Sequence, residues 1–172
     1  NKDFVHAHYN LGLVFYELGE YEKSKKCYED AIKIDSKHES AHNNLGQIFE
    51  ILGEYEKAEN CYTLAIKINA NFAVPYFNLG NIYDEFGEYK KAIIYYEQAI
   101  KIKIDYIEAY NNLALTFKAT GKIKKTISCY EKIIEKKPNN LISIHYLSEF
   151  KNEILDSNLE KKIHNIINNN KC

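Results

Sequence analysis

Glycine falls at positions 19, 53, 87 and 121, and the interval is 34 residues each time. Each of these glycines opens a similar phrase: Gly-Glu-Tyr-Glu-Lys at Gly19 and again at Gly53, Gly-Glu-Tyr-Lys-Lys at Gly87, and Gly-Lys-Ile-Lys-Lys at Gly121. A period of this length constrains the chain to a stacked array, in which each unit buries its apolar face only against its neighbours. An array has no single central core, so a length of 172 residues does not fix a domain count. Function then has to be carried on the surface of the stack.

Within a unit, apolar residues recur twice at helical spacing. In the third unit Leu79, Ile82, Tyr83 and Phe86 precede the glycine, and Ala92, Tyr95, Tyr96, Ala99 and Ile100 follow it. The pattern predicts two amphipathic helices that reverse at Gly87, where glycine takes a positive φ at little steric cost. Small residues mark where the two helices of a hairpin approach: Gly12, Gly46, Gly80 and Ala114 on the first, Ser24, Ala58, Ala92 and Thr126 on the second. The expected fold is all-α, a solenoid of antiparallel helix hairpins.

These residues resemble the tetratricopeptide repeat over nearly the whole chain. The third unit carries the pattern as Tyr76, Leu79, Gly80, Tyr83, Ala92, Tyr96 and Ala99, and the second as His42, Leu45, Gly46, Phe49, Ala58, Tyr62 and Ala65. The first has His8, Leu11, Gly12, Phe15, Ser24, Tyr28 and Ala31; the fourth keeps Tyr110, Leu113, Phe117 and Tyr130, varies at Ala114, Thr126 and Ile133, and ends at Pro138. The resemblance implies a right-handed superhelical solenoid with repeats over 5–38, 39–72, 73–106 and 107–140, preceded at 1–4 by the tail of another repeat. The stretch 141–167 keeps Leu147 but places Ser148, Lys151, Glu160 and His164 where glycine, aromatic, alanine and aromatic belong. It reads as a degenerate repeat or capping helices, because an exposed array end needs a polar face, and 168–172 reads as a flexible tail. Methionine is absent, and Asn1-Lys2-Asp3-Phe4 matches the joints at Asn69–Phe72 and Lys103–Tyr106, so a segment of a longer array is expected.

Composition excludes several classes of function. No run approaches the roughly 18 apolar residues of a membrane span, and no secretory signal opens the chain. All 23 basic residues are lysine, so the guanidinium fork that best grips phosphate and guanine edges is missing and nucleic acid is an unexpected partner. Cys27, Cys61 and Cys129 share one slot of the repeat, filled by Tyr95 in the third unit, which marks a packing position and a reduced, intracellular setting, cytoplasmic or nuclear. His6 and His8, two apart on a helix, point in divergent directions and make a poor metal pair. No phosphate loop or nucleophile elbow occurs. No catalytic residue, cofactor or metal is expected in this segment. Residues 1–86 carry 8 lysines against 14 carboxylates, and residues 87–172 carry 15 against 10.

In the family, the first helices of successive hairpins line a concave groove. Steps of three and four from the packing stripe place in it Tyr9, Leu13 and Tyr16, then Asn43, Gln47 and Glu50, then Phe77, Asn81 and Asp84, and finally Asn111, Leu115 and Lys118. One column is asparagine in every unit: Asn10, Asn44, Asn78 and Asn112. Such a column either pairs with the backbone of an extended peptide, since an amide both donates and accepts, or ties neighbouring helices together. It resembles the asparagine ladder in the arm of O-linked N-acetylglucosamine transferase. The resemblance implies a scaffold that binds an extended segment of a partner protein, or alternatively the substrate-recognition arm of a larger enzyme such as that transferase. Other members clamp the acidic C-terminal tail of heat-shock chaperones with cations; here Tyr9, Val74 and Asn78 stand where those cations belong, so no such tail is an expected partner.

Overall fold

The computed structural model describes residues 2–150 together with Lys161, Asn165 and Asn168. Nine helices occur among the described residues, and no strand: α1 (Lys2–Glu17), α2 (Tyr21–Ile34), α3 (Glu39–Ile51), α4 (Tyr55–Ile68), α5 (Ala73–Glu85), α6 (Tyr89–Ile102), α7 (Ile107–Ala119), α8 (Ile123–Lys136) and α9 (Leu141–Phe150). They fall into two compact units, Asn1–Phe86 and Gly87–Cys172. The fold is all-α and built of antiparallel hairpins, as the period predicts. α1 opens at Lys2, so residues 2–4, expected as the tail of an earlier repeat, already belong to the first helix. Most of the expected cap at 141–167 and of the tail at 168–172 lies outside the described residues.

The turns follow from the spaced glycines. Gly19, Gly53, Gly87 and Gly121 have φ of 73°, 74°, 72° and 70°, the left-handed conformation that glycine alone adopts without a side-chain clash. After α1, Gly19 N–H donates to Tyr16 O at 2.9 Å and Glu20 N–H to Phe15 O at 2.8 Å, the paired bonds that satisfy the last carbonyls of a helix. The same pair closes α3 (Gly53 to Glu50, Glu54 to Phe49) and α7 (Gly121 to Lys118, Lys122 to Phe117). The lysine four residues past the glycine then folds over the ring four residues before it: Lys23 over Phe15, Lys57 over Phe49 and Lys125 over Phe117, at 5.2–5.3 Å from the ring centroid. The shared phrase therefore encodes both a helix stop and a cation–π clasp on the hairpin it creates.

In unit 1, α1 packs on α2 and α3 on α4, while α2 covers α3 and α4 covers α5. Tyr28 and Tyr62 are completely buried, each lying against the glycine of the paired first helix. A Cβ placed on Gly12 would come to 2.5 Å from the Tyr28 ring, and one on Gly46 to 2.7 Å from the Tyr62 ring. The hairpin closes tightly enough for Ser24 Oγ to donate to Gly12 O at 2.8 Å. In unit 2, α6 packs on α7, α7 on α8 and α8 on α9. Leu147 and Phe150 of α9 are buried, and the Tyr146 ring stacks on Tyr130 with centroids 5.0 Å apart.

Candidate functional site

The expected groove residues sit on first helices, which means α1, α3 and α5 in unit 1 and α7 in unit 2. The structure sorts them by depth. Asn10 and Leu13 face solvent; Tyr9, Tyr16, Asn44, Gln47, Glu50, Phe77, Asn81 and Asp84 are half-buried; Asn43 and Asn78 are buried, at 3% and 6% exposure.

Burial is tolerated because the amides are paired. Asn44 Nδ2 donates to the Tyr9 hydroxyl on α1 at 3.2 Å and to the Tyr28 hydroxyl on α2 at 3.4 Å. Asn44 Oδ1 accepts from Asn43 Nδ2 at 3.1 Å, and Asn43 Oδ1 accepts from Asn78 Nδ2 on α5 at 3.2 Å. One relay thus runs from α5 through α3 to α1. An unpaired buried amide costs about 1–3 kcal/mol, so this relay is a structural tie between hairpins. Of the two roles expected for the asparagine column, Asn44 and Asn78 take up the tie between helices here, and the groove candidate Asn43 is buried between them. Asn10 remains open to solvent, and Asn112 on α7 is half-buried.

The aromatic wall is also partly interior. The Tyr9 ring lies 5.8 Å from Tyr28 and 4.8 Å from His38 between centroids. Sequence reasoning passed over His38, which also accepts from Ala41 N–H through Nδ1 at 3.2 Å and so caps α3. A signal for it exists: an aromatic ring recurs at 34-residue steps in Phe4, His38, Phe72 and Tyr106, and only at the joint ahead of α9 does Asn140 replace it.

Toward the C-terminal ends of the first helices the face becomes acidic. Glu50 accepts from the Tyr62 hydroxyl at 2.6 Å. Burial pushes the Glu50 carboxyl above the usual glutamate range, the Tyr62 bond opposes this, and the charge of Glu85 adds to it. Burial likewise raises the Tyr16 hydroxyl, with Tyr21, Glu17 and Glu50 contributing. Tyr55 donates to Glu85 at 3.0 Å. After Lys2 no lysine occurs on α1, α3 or α5; the other cations of unit 1 lie on α2, on α4 and at Lys37.

In unit 2 Leu115 faces solvent, whereas α9 engages Lys118. Its ammonium lies 5.0 Å from the Tyr146 ring centroid and 5.6 Å from that of Phe150, with Glu149 at 3.6 Å. Asn111 is half-buried, and both its Oδ1 and the Tyr130 hydroxyl lack a hydrogen-bond partner. One residue accounts for both. Position 146 is where the asparagine column would continue 34 residues beyond Asn112, and it holds Tyr146, a ring where Asn44 supplies an amide in unit 1.

Among the described residues, no group of three or more His, Cys, Asp or Glu side chains is placed to hold a metal ion. No described helix is long and apolar enough to cross a membrane. Cys27, Cys61 and Cys129 are free and buried. Burial pushes the Cys61 thiol up to about 11 and that of Cys129 to about 12, so neither is a ready nucleophile at neutral pH.

No curated protein sequence matches this chain. Among solved structures it is similar to the crystal structure of MamA, with 28% identity and a TM-score of 0.72 over 77% of this chain and 78% of that one. It is also similar to Pseudomonas aeruginosa PilF, at 19% identity and a TM-score of 0.79 over 99% and 78%. A third is the first tetratricopeptide domain of Spaghetti (RPAP3) bound to the HSP90 peptide SRMEEVD, at 19% identity and a TM-score of 0.67 over 70% and 96%. The last two likenesses concern the fold alone. Models of the tetratricopeptide repeat match residues 3–71, 39–105 and 107–140, and the chain belongs to the tetratricopeptide repeat family.

Proposed function

We propose that this chain is a protein-interaction scaffold that holds an extended segment of a partner against the first-helix face of unit 1. The observation that carries the reading is the surface left once the amide relay is set aside. Asn10 and Leu13 are exposed, and Tyr16, Gln47, Phe77 and Asn81 are half-buried, on three successive first helices. This mixture offers apolar contact and amide hydrogen bonding without demanding one sequence. Amide bonds at about 0.5–1.5 kcal/mol net each fall short of the roughly 8 kcal/mol of a micromolar complex. Contacts at Leu13, Tyr16 and Phe77 supply the remainder, since aromatic anchors commonly dominate binding.

The Spaghetti domain is bound to SRMEEVD, a peptide rich in carboxylates. Here such a peptide would meet Glu50, Asp84 and Glu85 with no cation on the same helices beyond Lys2, so a neutral or basic segment is the fitting guest. The second reading, an arm of a larger transferase, rests on the asparagine column, and the engagement of Asn44 and Asn78 between helices removes most of its support.

The test begins with peptides selected from a random display library on this chain, their affinities measured by calorimetry. Leu13→Ala with Gln47→Ala, both at positions outside the core, is expected to weaken the best peptide by about tenfold or more. Unchanged affinity in the double variant, or no peptide tighter than about 1 mM, refutes the groove. Submillimolar binding of SRMEEVD refutes the charge argument.

A further inference from the structure

In unit 1 the turn between α3 and α4 is closed over by the end of α5. The Phe86 ring stands edge-on to Tyr55, with centroids 5.0 Å apart and planes at 86°, and the Tyr55 hydroxyl donates to Glu85 at 3.0 Å. A Glu-Phe pair thus holds the first residue of α4 by its ring and by its hydroxyl. One repeat later the same three places are Tyr89, Ala119 and Thr120. The backbone hardly differs, with φ and ψ of −82° and 5° at Phe86 and −95° and 11° at Thr120. The side chains do differ. Thr120 Oγ1 donates back to its own helix, to Thr116 O at 2.9 Å and Phe117 O at 3.2 Å, and Ala119 offers no acceptor. A cleft of about 530 Å³ results, lined by Thr120 and residues 87–91, all within unit 2. Tyr89 is exposed there, whereas Tyr55 is half-buried.

The rim also differs in charge. Glu54 pairs with Lys57, and Glu88 with Lys91 in the same way, but the residue between tyrosine and lysine is Glu56 in the first turn and Lys90 in the second. Lys90 is exposed and has no carboxylate partner among the described residues. α6 has no acidic residue in its first turn, so the lysine and the helix dipole together favour an anion there. We infer that this cleft is a second binding site, for a partner segment that carries an aromatic side chain next to a carboxylate. The guest ring stands edge-on to Tyr89 as Phe86 does to Tyr55, and the guest carboxylate accepts from the Tyr89 hydroxyl beside Lys90. The chain's own Glu-Phe pairs are both taken: Tyr55 engages Glu85 and Phe86, while Phe150 is buried and Glu149 lies 3.6 Å from Lys118. A second copy therefore has neither to offer. No first-helix residue of unit 1 takes part, so the site stands or falls independently of the groove proposed above.

The probe is the capped peptide acetyl-Asp-Glu-Phe-Gly-amide, a copy of residues 84–87, titrated into the isotope-labelled chain and followed by amide chemical shifts. The amides of Tyr89, Lys90, Lys91 and Thr120 should shift together and saturate with a Kd of about 1 mM or tighter. Replacing the peptide's Glu by Gln should weaken binding about fivefold, and replacing its Phe by Ala should abolish it. Ala119→Glu with Thr120→Phe supplies the pair from within the chain, at backbone angles that already hold it in unit 1, and should also abolish binding with the helical circular dichroism unchanged. Lys90→Glu, the residue of the unit 1 turn, should weaken binding about threefold at low salt. No saturating shift at these amides by about 10 mM peptide, equal affinity for the Glu and Gln peptides, or binding that survives the filled variant overturns the inference. So do shifts confined to α1, α3 and α5, which would seat the peptide in the unit 1 groove. Shifts at Tyr89 that depend on protein concentration without peptide, and vanish in the filled variant, would assign the cleft to a second copy and overturn it too.

Discussion

Replacing Gly46 with alanine separates the reasoning from a propensity argument, because the two disagree in sign. In the middle of an ordinary helix Gly→Ala stabilises by roughly 0.8–1.0 kcal/mol. Here the added Cβ would lie 2.7, 2.9 and 3.1 Å from Cε1, Cδ1 and Cζ of Tyr62, well inside the roughly 3.5–4.0 Å of carbon contact. The ring cannot swing clear easily. Tyr62 is completely buried, and its hydroxyl is held by Glu50 at 2.6 Å. Overpacking costs about 1–3 kcal/mol, and loosening a bond to a half-buried carboxylate costs about 1.5–3 kcal/mol. Less the propensity gain, the net loss is about 3 kcal/mol. For a chain of this size that lowers the thermal midpoint by about 6–12 °C, followed by circular dichroism. The fourth hairpin shows what relieves the conflict: it carries Ala114 in the same register, and its tyrosine, Tyr130, has no hydrogen-bonded tether. In a double-mutant cycle the cost of Gly46→Ala should therefore shrink when Tyr62→Leu removes the ring. A Gly46→Ala variant as stable as wild type, or an undiminished cost in the Tyr62→Leu background, would refute the steric account.

Glu50 gives a pH dependence with a defined sign. Its folded carboxyl is raised, chiefly by burial, so the folded state holds the proton more tightly than the unfolded chain does. Stability from this group is present below the ordinary glutamate range and is lost as pH rises through the window above it. Urea midpoints at several pH values should show wild type losing ground to Glu50→Gln as pH rises through that window; a pH-independent difference would contradict the sign. Tyr146→Asn restores the missing amide beside Asn111 Oδ1 and the Tyr130 hydroxyl at the expense of the ring stack and of the Lys118 contact. Two neutral bonds at about 1 kcal/mol each against about 0.5–1.5 kcal/mol for an aromatic pair predict a change within about 1 kcal/mol. A loss above about 3 kcal/mol by denaturant titration would show that the ring, and not the missing amide, governs that end.

The hairpin period, the reversals at Gly19, Gly53, Gly87 and Gly121, and the close helix approach at Gly12 and Gly46 were all legible in the residues alone. They answer local demands: a positive φ, a 3.6-residue periodicity, and a small residue where two helices of one hairpin meet. The depth of a side chain is different, because it depends on what another hairpin places opposite. Asn44 finds its partners 35 and 16 residues away in Tyr9 and Tyr28, and Asn78 finds Asn43 at 35. A column of like residues therefore ends as an exposed Asn10, a shared Asn44 and a buried Asn78. Leu11 and Leu45 likewise occupy one place in the repeat, yet Leu11 is 45% exposed and Leu45 only 7%. Periodicity specifies which way a side chain points from its own helix; whether it meets water, an amide or an apolar wall is set by the neighbouring layer, which only the tertiary structure supplies.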